Sequence, residues 1–141
     1  MTTNTAQVAP PNRQDPRQVT NTLKKTFTFS DANASTGINF DNSIPVGAFI
    51  TGCWVSITTV FNASSTNVLT VGTNSTTFNN LVAAGDVDEL TVGTTNVTRG
   101  LGPSLAASAD VTPVVKYTQT GTPGTTGVAV ILITYEGGWV S

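Results

Sequence analysis

Few residues in this chain are equipped for chemistry. It has no histidine, one cysteine (Cys53) and eight acids. Without histidine, neither a His-based catalytic triad nor the common zinc-hydrolase ligand set can be assembled. A nucleophilic cysteine would lack its customary base. Cys53 lies in the apolar run "FITGCWVSI", where a small buried thiol is the expected reading. The densest acids are Asp86, Asp88 and Glu89 in "GDVDEL". Asp86 and Asp88 could offer oxygens to calcium, but the loop lacks EF-hand ligand spacing and its closing glutamate. A solvated acidic turn is the plainer expectation. Glycoside hydrolysis needs two carboxyls across one groove, and nothing in the spacing brings Asp31, Asp41 or Asp110 together. "GTPGTTG" has neither the lysine nor the following helix of a phosphate-binding loop. No catalytic residue, metal site or cofactor is therefore expected.

The elements that would position any site are extended. The 141 residues include 27 threonines, and charged residues make up only 10%, against roughly 25% in an average soluble domain. β-branched threonine and valine favour strands. Period-two alternation begins at Leu23 in "LKKTFTFS", with Leu23, Lys25, Phe27 and Phe29 on one side. A short strand is expected around residues 38–40. A long one follows in "PVGAFITGCWVSITTVF", with Gly47 and Gly52 marking a bend or bulge. In it Cys53, Val55, Ile57, Thr59 and Phe61 share one face, and Trp54, Ser56, Thr58 and Val60 the other. Further strands are expected at "NVLTVGT", "TFNNLV", around 89–92 and in "VTPVVKYTQT". Pro113 demotes the first half of the last of these. "GTPGTTG" reads as a hairpin loop into a final strand at 127–136. A helical turn is possible at 104–107. About eight short strands without a convincing helix predict an all-β, antiparallel sandwich or barrel.

Residues 1–22 are polar, contain Pro10, Pro11 and Pro16, and have no apolar period. They are expected to form an extended N-terminal arm, with residues 23–141 as the β domain. Arg13, Arg17, Lys24 and Lys25 hold four of the six basic charges of a chain whose net charge is −2. The acidic body argues against a nucleic-acid partner. No run of ~18 apolar residues is present, so no membrane span is expected. The leader lacks the apolar middle of a secretory signal, and synthesis in a reducing host cytoplasm is expected.

The order of parts in residues 23–139 resembles small structural proteins of tailed bacteriophages. An alternating strand "KKTFTFS" leads into "SIPVGAFITGCWVSITTVFNASSTNVLTVGT". A mid-region with "LAASADVTPVVKYT" follows, and the chain closes with "GVAVILITYEGG". Such chains are similar to jelly-roll head decoration, or cement, proteins and related virion proteins. The resemblance implies a non-enzymatic jelly roll on the outer capsid surface of the virion. There it would bind the major capsid protein, bridge its subunits and act as a homo-oligomer, a dimer or trimer. The competing expectation is a receptor- or glycan-binding head or tail fibre module using Trp54, Trp139 or Tyr117.

The last strand frames the question of partners. Val128, Val130 and Leu132 point one way, and Ala129, Ile131, Ile133 and Tyr135 the other. One side fills the sandwich; the other meets a subunit mate or lies under a long loop such as 93–110. The expected subunit interface comprises Trp54, Ile131, Ile133, Tyr135 and Trp139. The expected capsid contacts of the arm are Arg13, Arg17, Lys24 and Lys25.

Overall fold

The computed structural model describes residues 20–97 and 109–137. Seven strands are present among them: β1 (Thr20–Thr28), β2 (Ile38–Asn39), β3 (Phe49–Thr59), β4 (Thr66–Gly72), β5 (Gly93–Asn96), β6 (Val114–Thr120) and β7 (Val128–Glu136). They form a four-stranded sheet in the order β1-β7-β3-β5 and a three-stranded sheet in the order β2-β6-β4. Every pairing is antiparallel. Odd-numbered strands occupy one sheet and even-numbered strands the other, so each connection crosses the sandwich. This is the winding of a jelly roll, confirming the all-β sandwich read from the alternation.

The two inner faces supply the core. Leu23 and Phe27 from β1, Cys53, Val55 and Ile57 from β3, and Ala129, Ile131 and Ile133 from β7 are buried. They meet Leu69 and Val71 of β4 and Val115 and Tyr117 of β6. An aromatic cluster of Phe27, Phe61 and Tyr117 lies between the sheets. The Phe61 ring lies 4.8 Å from Tyr117 and 6.0 Å from Phe27, centroid to centroid. Gly127 has φ +148°, and a Cβ there would strike the Phe61 ring, which explains why only glycine fits at this crossing. The Tyr117 hydroxyl donates to Asn67 Oδ1 at 2.6 Å, satisfying the one polar atom the cluster buries. Tyr117 is only 2% exposed, at the floor of a depression also lined by Phe29, Asn33 and Gln119.

Several expectations change in the structure. "GTPGTTG" is not a hairpin loop, because β6 and β7 belong to different sheets. The expected strand in "TFNNLV" is reduced to one bridge between Val71 and Val82. Local side-chain bonds compete with the ladder there. Asn74 Oδ1 accepts from the Thr76 and Thr77 amides. Asn80 and Thr73 pair at 2.9 Å in both directions. Likewise Asp88 accepts from the Leu90 amide and the Thr91 hydroxyl, and the strand expected at 89–92 starts only at Gly93. Pro113 acts as expected: β6 begins at the next residue, and the Pro113 carbonyl accepts from Phe40 N at 2.8 Å. The expected helical turn at 104–107 lies outside the described residues, as does the arm apart from residues 20–22.

Candidate functional site

The outer face of the four-stranded sheet is the most distinctive surface. Strand β7 is central, paired with β1 on one side and β3 on the other. Pairing fixes parity. Ile133 sits opposite both Leu23 and Cys53, and Ile131 opposite Val55, so these side chains share the inner face. Val128, Val130, Leu132 and Thr134 consequently point outward. Trp54 is opposite Leu132, and Ser56 is opposite both Val130 and Thr94. Trp54, Ser56, Thr94, Val130, Leu132 and Thr134 line an open depression of about 370 Å³.

Trp54 is held flat along this face. A Cβ built on Gly52 would lie 2.5 Å from Trp54 Cη2 and 2.6 Å from Cζ3. The ring therefore lies across Gly52, two residues back on the same strand face. A pairing irregularity between Ile50 and Gly52 accompanies this, where a bulge was expected from the glycine. The three large apolar side chains most exposed among the described residues are Phe49 at 45%, Leu90 at 63% and Val92 at 62%. Phe49 opens β3 and faces Glu136, while Leu90 and Val92 immediately precede β5.

The expected interface residues divide accordingly. Trp54 is on the outer face. Ile131 and Ile133 are fully buried in the sandwich, which corrects their assignment to a subunit interface. The alternation was right and the choice of face inverted. Tyr135 is part-buried and packs against the same core. Trp139 lies outside the described residues. Val130 and Leu132, which line the depression beside Trp54, were not among the expected contact residues.

Of the expected capsid contacts, Arg13 and Arg17 lie outside the described residues. Lys24 is exposed on the outer face, opposite Leu132. Lys25 points inward from β1 and pairs with Asp41 at 3.0 Å. An inward-pointing lysine on a strand at a sheet edge discourages further strand addition. With Asp41 76% exposed, the pair is worth no more than about 1 kcal/mol.

The other sheet presents a different surface. The loop after β4 folds over it, and a Cβ at Gly72 would overlap the Thr77 carbonyl. Phe78 rests there with the Lys116 ammonium 4.5 Å above its ring centroid. Thr70, Thr76, Asn79 and Thr118 surround them.

The reactive side chains are occupied structurally. Burial pushes the Cys53 thiol up to about 12, far from a usable thiolate. Asp88 is held below its ordinary value by the Thr91 hydroxyl and then the Leu90 amide. Glu89, expected in a solvated turn, is instead only 7% exposed. Its carboxylate accepts from Leu69 N at 2.7 Å, and its carbonyl accepts from Phe61 N at 3.0 Å. Burial raises its carboxyl above the ordinary glutamate value, opposed by the Leu69 amide. Among the described residues no group of three or more acids or cysteines is placed to hold a metal ion.

Two solved structures share this architecture. A chain of the acidic stable capsid structure of Helicobacter pylori bacteriophage KHP30 aligns with a TM-score of 0.61 and 19% identity, over 83% of this chain and 86% of that one. A chain of the cyanophage Pam1 capsid asymmetric unit aligns with a TM-score of 0.66 and 16% identity, over 94% and 96%. No family model and no curated protein matches the sequence.

Proposed function

We propose that this chain is a non-enzymatic structural protein of a phage virion, and within that class a decoration or cement protein. It binds the outer surface of the head and holds neighbouring major capsid subunits together. The observation that carries this reading is the likeness in fold to chains of two phage capsid structures, over 83% and 94% of this chain. Cys53 and Glu89 are buried in the sandwich, where Glu89 accepts from Leu69 N. The basic residues Arg13 and Arg17 of the leader supply the charge for attachment to an acidic shell surface. Each exposed contact contributes ~0–1 kcal/mol, so firm attachment depends on contact area and on many copies acting together.

The test is addition of purified protein to heads lacking it. Saturable binding, a higher rupture temperature of the head, and weaker binding after deletion of residues 1–19 are expected. Absence of binding at saturating protein, combined with specific hits on a glycan array, would replace this reading with a fibre-tip module.

A further inference from the structure

We infer that the depression on the outer face of the β2-β6-β4 sheet, between Lys116 and the loop that follows β4, binds a sugar ring bearing a carboxylate. The inference goes beyond attachment to a shell. It uses none of Trp54, Tyr117 and Trp139, the aromatics of the fibre-type expectation.

The loop at residues 73–80 builds the depression. Its own side chains brace it, through Asn74 Oδ1 on the Thr76 and Thr77 amides and through the Asn80–Thr73 pair. It folds back over β4 so closely that a Cβ on Gly72 would lie 2.5 Å from Phe78 Cα. The Phe78 ring is seated against Gly37, where a Cβ would lie 2.7 Å from ring atom Cε1. Two glycines without side chains thus make room for one aromatic. Above that ring, 4.5 Å from its centroid, stands the Lys116 ammonium, held there by the attraction of a cation for the ring face.

Lys116 supplies the charge. Lys25 is taken up by Asp41. Lys116 has no carboxylate partner among the described residues, and no acidic side chain lines the depression. Its ammonium carries three N–H donors, and the ring engages only the side that faces it. The remaining side is open to an anion.

The neutral groups decide which anion. Thr70 lies opposite Lys116 in the β4–β6 ladder, and Thr76, Asn79 and Thr118 complete the wall. The Thr70 hydroxyl donates to the Lys116 carbonyl at 3.4 Å and the Thr76 hydroxyl to Asn74 Oδ1 at 2.7 Å, so both keep lone pairs for a ligand. The Asn79 amide and the Thr118 hydroxyl make no hydrogen bond among the described residues. Hydroxyls and amides both donate and accept. A phosphate or sulfate only accepts, and it favours a forked guanidinium over a single ammonium. Sugar hydroxyls donate and accept as these groups do. One carboxylate matches one lysine, and the C–H face of the ring suits the uncovered part of half-buried Phe78. The space is about 320 Å³, at the small end of ligand sites.

The test is titration of the ¹⁵N-labelled full-length chain with sodium D-glucuronate, followed by amide chemical shifts. Saturable shifts confined to Thr70, Thr76–Asn79 and Lys116–Thr118 are expected, with a Kd of about 1–10 mM for one ring at an open site. D-glucose, which lacks the carboxylate, and acetate, which lacks the ring, should each bind at least about tenfold more weakly. Lys116→Gln, with its fold checked by circular dichroism, should reduce glucuronate to the level of glucose. Asn79→Ala, at an exposed position, should weaken glucuronate about threefold or more. Lys24→Gln, on the opposite sheet, should change nothing. Absence of shifts at these residues with 50 mM glucuronate overturns the inference. So does acetate or glucose binding as well as glucuronate, or binding indifferent to Lys116→Gln. With no head present, these results are independent of shell attachment.

Discussion

The placement of Trp54 over Gly52 makes a quantitative prediction. In Gly52→Ala the new methyl carbon would sit 2.5 and 2.6 Å from two ring atoms and 3.1 Å from Thr134 Oγ1. Carbon atoms in comfortable contact are about 3.5–4.0 Å apart, so the ring must retreat by about 1 Å or swing off the sheet. Overpacking of this kind costs about 1–3 kcal/mol. Against it stands a gain of about 0.4–1 kcal/mol, because alanine narrows the unfolded ensemble relative to glycine. In a Trp54→Val background only the 3.1 Å approach to Thr134 Oγ1 remains, which a small shift of the hydroxyl relieves, and Gly52→Ala should be close to neutral. The coupling energy between the two substitutions is therefore about 1–3 kcal/mol. It is read from urea denaturation of the four proteins by circular dichroism, at concentrations where the chain is monomeric. Additivity to within about 0.5 kcal/mol, the behaviour of sites that do not touch, would refute the stacked arrangement and with it the flat apolar strip on this face.

Two further outcomes follow from the buried groups. Cys53, with its thiol raised to about 12, should resist thiol reagents at pH 8 and react only as fast as the sandwich opens; rapid labelling of the native protein would contradict its place in the core. For Glu89, burial lifts the folded carboxyl above the ordinary glutamate value of 4.5. A raised value favours the fold when the group is protonated, so its contribution is full below about 4.5 and is lost as pH rises through the folded value. Glu89→Gln keeps an acceptor for Leu69 N and removes the charge. The stability of wild type relative to this variant should therefore rise as pH falls from 7 toward 4.5, and a difference that is flat or of opposite slope would contradict the burial of the carboxylate.

Alternation along β1, β3 and β7 was legible from the residues, and with it the sandwich, because side-chain period in a strand is a local property of the backbone. The same holds for the breaks at Gly52 and Pro113, and for the absence of histidine chemistry. Which of two alternating sets faces inward is not local. Ile131 and Ile133 became core residues only when β7 was paired with Leu23 of β1 and Cys53 and Val55 of β3, since a shift of one residue exchanges the faces of a whole strand. Whether a turn makes a hairpin or crosses to the opposite sheet is likewise undecided by its own sequence, as "GTPGTTG" shows. Glu89 looks like surface in a stretch of acids, and only the amide of Leu69, twenty residues earlier, draws it inside. The chain's residue types thus determined a β framework without histidine chemistry. Long-range pairing decided which side of it remains apolar and open, because burial is a property of partners and not of the residue alone.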